Sequence, residues 1–204
     1  MVLAWVRVLQ EAGVRICSTG RARNRDVERY IRDTHLRRDR FDNRRMDITA
    51  PATAGVFGGA PLFIDATVLS PLTGTGEARS RTDHTDGAVM EAAARTNRAV
   101  DYPDVELSPH AQLLHLGVET FGRWGKHSLT LVPALARSRA DSAPPILKSS
   151  LQHAFTSRWF AILSVALQKS IADSVLLSSG TDLAAEAQDR LGAMPLIDVL
   201  DFNR

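Results

Sequence analysis

The sequence predicts a single α/β domain, a small mixed sheet flanked by helices. Three observations lead there. Two runs rich in β-formers, Arg45 to Thr49 and Leu62 to Leu69, flank a link rich in glycine and proline. Segments of helical period alternate with strand-like runs along the middle of the chain. Beyond Pro144-Pro145 a long stretch with helical spacing follows.

In order, Val2, Leu3, Val6 and Leu9 before Ala12-Gly13 suit an amphipathic helix closed by glycine. Val14 to Cys17 alternates and suits a short strand. Asp26 can cap a helix carrying Val27, Tyr30 and Ile31, with Thr34 to Leu36 running on extended. The two β-former runs, joined through Pro51, Gly55, Gly58, Gly59 and Pro61, read as a hairpin closed by Ser70-Pro71. Residues 72 to 86 are polar and loop-like; their Gly-Thr-Gly is no phosphate loop, because no Gly-Lys-Ser/Thr follows. Asp86-Gly87 opens a helix to about Val100, supported by Glu91 and Ala92-Ala93-Ala94, and Tyr102-Pro103 ends it. Leu113 to Thr120 reads as a buried strand, Phe121 to Gly125 as a turn, and His127 to Arg139 as a helix. The last elements are a helix from Leu147 to Leu177 and a short one at 182 to 191. Residues 1–43 are expected to belong with the core at 44–140, and 146–204 to form a helical extension.

The chain has 204 residues, enough for one domain with a real core. Its 44% apolar and 24% charged fractions argue against wholesale disorder. One cysteine, Cys17, excludes an internal disulfide and an all-cysteine metal site. Met1 to Gln10 is short and lacks a basic leader, so it reads as a helix and not a signal peptide. Lys169 and Asp173 interrupt the longest apolar stretch, Trp159 to Leu177, which argues against a membrane span. A soluble intracellular protein, nuclear or cytoplasmic, is expected.

Net charge is only +2, yet arginines crowd between Arg15 and Arg45. Arg37, Arg38, Arg40, Arg44 and Arg45 are candidates to follow a phosphate backbone. The alternative is a solvated surface diluted by Asp26, Glu28, Asp33, Asp39 and Asp42. The histidines show no HExxH spacing, and no Gly-x-Ser-x-Gly elbow is present. Phe155, Trp159 and Phe160 share an apolar stripe and read as core rather than as a base-stacking platform.

Asp47 and Asp65 fall on the two hairpin strands. Hard cations such as Mg²⁺ or Mn²⁺ need carboxylate oxygens on rigid elements, and a bound metal can activate water for phosphodiester cleavage. Strand aspartates are, however, more often solvent-facing than ligating. Arg44-Arg45-Met46-Asp47, then Phe63-Ile64-Asp65-Ala66-Thr67-Val68-Leu69-Ser70-Pro71, then Arg95 through Tyr102-Pro103, resemble the restriction-like PD-(D/E)XK endonuclease domain of some non-LTR retrotransposon proteins. Gly117-Val118-Glu119-Thr120-Phe121-Gly122-Arg123-Trp124-Gly125 is similar to the strand and turn that follow in reverse-transcriptase-associated sequences of protists.

The resemblance implies a restriction-endonuclease-like core and a metal-dependent DNA endonuclease, active or degenerate, with RNA as the other nucleic acid it allows. The alternative is a catalytically inactive nuclease-fold module that binds nucleic acid or protein. Asp47 matches the first metal-binding acid and Asp65 the second. The family's lysine sits four residues before the tyrosine. Here Arg98 occupies that place before Tyr102, with Thr67 in the strand slot. Arginine is a planar fork with a different reach and is not a proton donor, although it can clamp a phosphate. Arg95 lies three residues earlier and can share a solvated helix face with Arg98. Glu119 is either a further metal ligand or the partner of Arg123.

Overall fold

The computed structural model describes residues 1–17, 29–31, 34, 36, 43–51, 59–79 and 87–178. They fall in two compact units, Met1–Leu167 and Gln168–Arg204. Of the second unit, only the end of a helix is described.

The first unit is mixed α/β. Its elements are α1 (Val2–Glu11), β1 (Arg29–Tyr30), β2 (Arg45–Met46), β3 (Ile48–Ala50), β4 (Leu62–Leu69), α2 (Ala88–Thr96), a π-helical turn (Asn97–Asp101), α3 (Pro103–Glu106), β5 (Gln112–Glu119), α4 (Lys126–Ala140) and the start of α5 (Pro145–Ser178). A three-stranded sheet runs β3-β4-β5, and a two-stranded ribbon pairs β1 with β2. β3 meets β4 antiparallel, as the hairpin reading expected. β4 meets β5 parallel, Leu62 opposite Gln112 through Leu69 opposite Glu119. A parallel pair needs a long crossover, and α2, the π-helical turn and α3 supply it.

The two-residue period of the strands sorts side chains to two faces. Ile48, Leu62, Ile64, Leu114 and Leu116 enter one core with Trp5, Leu9, Leu131, Leu135, Trp159 and Leu163 from α1, α4 and α5. Phe63 and Leu113 enter a smaller core on the opposite face with Met46, Tyr102, Val105 and Ile31. α1 is clipped to α5 by Glu11, which accepts hydrogen bonds from Trp159 Nε1 at 3.0 Å and Arg158 Nε at 3.1 Å. Burial would raise the Glu11 carboxyl, but hydrogen bonds from Arg158, Arg7 and Trp159 outweigh it and hold the group below its ordinary value.

Three local expectations are corrected. Val14 to Cys17 is not a strand, although Cys17 N–H donates to the Thr49 carbonyl at 2.9 Å. Arg29–Tyr30 is a strand and not part of a helix capped by Asp26, because pairing with Arg45–Met46 outweighs the weak local helical pattern. The strand predicted over Arg45 to Thr49 breaks at Asp47, where the chain bends between two ladders. The helix at 182 to 191 lies outside the described residues.

By length and composition alone, Pro145–Leu176 is apolar enough to cross a membrane. Its buried positions Trp159, Leu163 and Leu167 recur every four residues as one stripe, the pattern of a helix lying on a core.

Gly117 is set by close packing. A methyl group there would overlap Met90 Sδ of α2 and stand 3.2 Å from His115 Cε1. Gly117→Ala is therefore expected to cost about 1–3 kcal/mol in urea unfolding. Because the clash is with the end of a flexible side chain, adding Met90→Ala should recover part of the loss. No recovery would mean the backbone itself cannot shift.

Candidate functional site

The alternation that sends Phe63 into the smaller core carries Asp65 to the same face, with Thr67 beyond it. Ile48 opposite Ile64 is the last pair of the antiparallel β3–β4 ladder, and the chain bends at Asp47 just before it. Where the ladder stops, Asp47 Oδ2 accepts the Ala66 N–H at 2.8 Å, taking the place of a strand carbonyl. Asp65 Oδ2 accepts from Thr67 Oγ1 at 3.1 Å and lies 3.4 Å from His115 Nε2. Burial raises the Asp65 carboxyl above its ordinary value. The Thr67 hydrogen bond opposes that shift, and the Asp101 charge adds to it.

Tyr102 closes the site from the crossover. Its phenol donates to the Arg45 carbonyl. Burial pushes its pKa up to about 12, helped by the charges of Asp65, Asp47 and Asp101 and opposed by Arg44. Both sequence-predicted acids therefore act on one phenol. Arg44 grips Asp104 with two bonds of 2.7 and 2.8 Å, donates to the Asp101 carbonyl at 2.8 Å, and lies 5.8 Å from the Tyr102 ring centroid. A bidentate arginine of this kind holds β2 onto the crossover, which gives Arg44 a structural task. Arg45 is exposed and lies 5.6 Å from the Tyr30 ring centroid. Arg37, Arg38 and Arg40 lie outside the described residues.

Arg98 and Arg95 part company. Arg95 is exposed on α2, whereas Arg98, within the π-helical turn, lines a cavity of about 120 Å³ with Glu91, His115, Lys126 and His127. His115 is buried opposite Asp65 in the parallel register, so it links the carboxylate pair to this cavity. Sequence reasoning missed His115, His127 and Lys126. The one available signal was a histidine set within the apolar run of β5.

The His115 main-chain N–H donates to His127 Nδ1 at 3.0 Å, so His127 carries its proton on Nε2. Burial lowers both imidazoles, and the Arg98 charge lowers them further, with Glu91 opposing. A folded value below the unfolded one means that protonation favours the unfolded chain. The stability these groups contribute is present above about pH 6.5 and is lost as pH falls through that value towards the folded ones. The urea midpoint is expected to fall between pH 7.5 and 6.0, and less steeply in His127→Gln. A flat profile in the parent would refute the linkage.

Glu119 is not brought to Asp65. It lies four residues along β5 from His115, about 13 Å at about 3.3 Å per residue. Its carboxylate is buried, with Arg123 Nε at 3.6 Å from Oε2. That is the pairing weighed against metal ligation, although neither carboxylate oxygen has a hydrogen-bond partner. Among the described residues no group of three or more His, Cys, Asp or Glu side chains is arranged to hold a metal ion.

Compared with known proteins, the chain matches no protein family, no curated protein and no solved structure.

Proposed function

We propose that the chain is a metal-dependent phosphodiesterase of the endonuclease type, acting on DNA, with a restriction-endonuclease-like core and a helical C-terminal extension. The observation that carries this reading is that Asp47 accepts the N–H of Ala66, the residue after Asp65, while Asp65 Oδ2 lies 3.4 Å from Nε2 of His115, which lines a cavity with Arg98 and Lys126.

The donor set suits a magnesium or manganese ion. Mg²⁺ is commonly held by one or two carboxylates, water and substrate phosphate. Asp65 is a half-buried carboxylate whose charge is disfavoured by desolvation and by Asp101, which a cation would relieve. Asp47 and Asp65 would hold it. When bound, such an ion lowers the pKa of water and neutralises charge developing on phosphate. Arg98 would clamp a phosphate oxygen, and Lys126 would supply the compact ammonium that the Arg98 position lacks. Tyr102, bonded to the Arg45 carbonyl, fixes the strand that delivers Asp47.

The test is incubation of supercoiled plasmid with the full chain and Mg²⁺ or Mn²⁺, next to Asp65→Asn. Nicking by the parent, absent in the variant and with EDTA, is the expected result. Cleavage retained by Asp65→Asn would sink the reading. The inactive, nucleic-acid-binding alternative is favoured by one observation, that Asp47 Oδ2 is already engaged by the Ala66 N–H. It predicts salt-sensitive DNA binding without nicking.

A further inference from the structure

Two cavities adjoin between α2 and the start of α4. The first, about 120 Å³, is lined by Arg98, Lys126 and the two histidines. The second, about 450 Å³, is lined by Trp124, Leu129, Arg123 and Thr130. Glu91, Gly125 and Lys126 line both, which sets the two side by side as a groove with a basic end and a more apolar end. The larger volume falls within the roughly 300–1,000 Å³ usual for small-molecule sites.

We infer that this groove binds a nucleoside monophosphate unit, its phosphate between Arg98 and Lys126 and its base against Trp124 and Leu129. Four features of the basic end converge on an oxyanion. Neither the Arg98 guanidinium nor the Lys126 ammonium makes a hydrogen bond or ion pair with another described residue. Lys126 and His127 open α4, and the residue before them, Gly125, offers no side chain to cap the first-turn N–H groups. His127, having accepted at Nδ1, keeps Nε2–H as a donor. The cavity, about 120 Å³, has room for a phosphate group.

The apolar end suits a base. Trp124 is half-buried and braced by Trp5, 6.3 Å away at 87°, and by Phe160 at 5.6 Å. Stacking on a ring already fixed by its neighbours costs little side-chain freedom. Leu129 is 52% exposed and extends the apolar wall. Glu91, at the junction, is an acceptor for a sugar hydroxyl or an exocyclic amine, the groups that lie between phosphate and base. The site goes beyond the phosphodiesterase reading, because the nucleotide can bind whether or not Asp47 and Asp65 cleave anything.

Calorimetric titration of the full chain without added metal separates the two ends. The ligands are AMP, adenosine and inorganic phosphate. AMP is expected to bind at least about tenfold more tightly than either half. Lys126→Ala and Arg98→Gln should each weaken AMP about tenfold while leaving adenosine unchanged. Leu129→Glu should weaken AMP and not phosphate. Lys126 and Leu129 are exposed, so these variants should fold, and circular dichroism melts verify it. Displacement of AMP by a 5′-phosphorylated tetranucleotide would place the unit at the end of a strand; no displacement would assign a free nucleotide. AMP affinity unchanged in both cation variants, phosphate binding as tightly as AMP, or no AMP binding at millimolar concentration would each overturn the inference. Because metal is omitted, failure here is distinct from failure of cleavage.

Discussion

Asp65→Asn is expected to abolish metal-dependent nicking and at the same time to raise the melting temperature at pH 7. Loss of groups that merely orient metal ligands costs about 10–100-fold, so loss of a ligand should cost at least as much. The gain in stability follows from the raised Asp65 carboxyl. A folded value above the unfolded one means that ionisation favours the unfolded chain. The penalty is absent below the unfolded value, grows as pH rises through the folded one, and is fully present at pH 7. Asparagine carries no charge to desolvate and keeps an oxygen for the 3.1 Å bond from Thr67. The advantage in melting temperature should therefore shrink near pH 4. A lower melting temperature for the variant at pH 7 would show that the Asp65 charge is satisfied, and would remove the argument that a cation relieves it.

Trp159→Ala is expected to cost about 3–5 kcal/mol, the usual range for deleting a large core aromatic. Trp159 is fully buried against α1, stacks on Phe155 at 5.3 Å, and gives its Nε1–H to Glu11. For a chain of this size the melting temperature should fall by roughly 6 to 20 °C, at about 2–4 °C per kcal/mol. Ile146→Ala on the same helix, where the side chain is 87% exposed, should stay within about 0.5 kcal/mol. Equal losses at the two positions would mean that α5 is not docked by its Trp159 face.

The elements with strong periodic patterns were legible in the sequence. β4 runs Leu62–Leu69 as predicted, and β5 and α4 fall within a residue of expectation, because runs of β-formers and helical spacing act locally. What was not legible depends on contacts distant in sequence. The parallel register that sets His115 beside Asp65 joins residues 50 positions apart, and no local pattern specifies it. The π-helical turn at Asn97–Asp101 was hidden for a different reason. Ala99 and Val100 suit an ordinary helix, and no local pattern marks the wider turn, in which the Tyr102 N–H donates to the Asn97 carbonyl at 2.8 Å. It also decides where Arg98 lies, so the separation of Arg98 from Arg95 could not be read from their spacing. Lys126 was passed over because the residues that line the cavity with it come from α2, the π-helical turn and β5.

The bond from the Ala66 N–H to Asp47 has a consequence for association between molecules. β3 pairs with only the first three residues of β4, so among the described residues the outer margin of β4 from Asp65 onward lacks a neighbouring strand. Such a margin is a template for a strand from another chain, and natural sheets defend it with charge. Asp47 consumes one of the donors an incoming strand would need and sets a carboxylate beside it. Asp47→Ala would remove that guard along with any metal ligand, and self-association of the variant would then accompany its loss of activity.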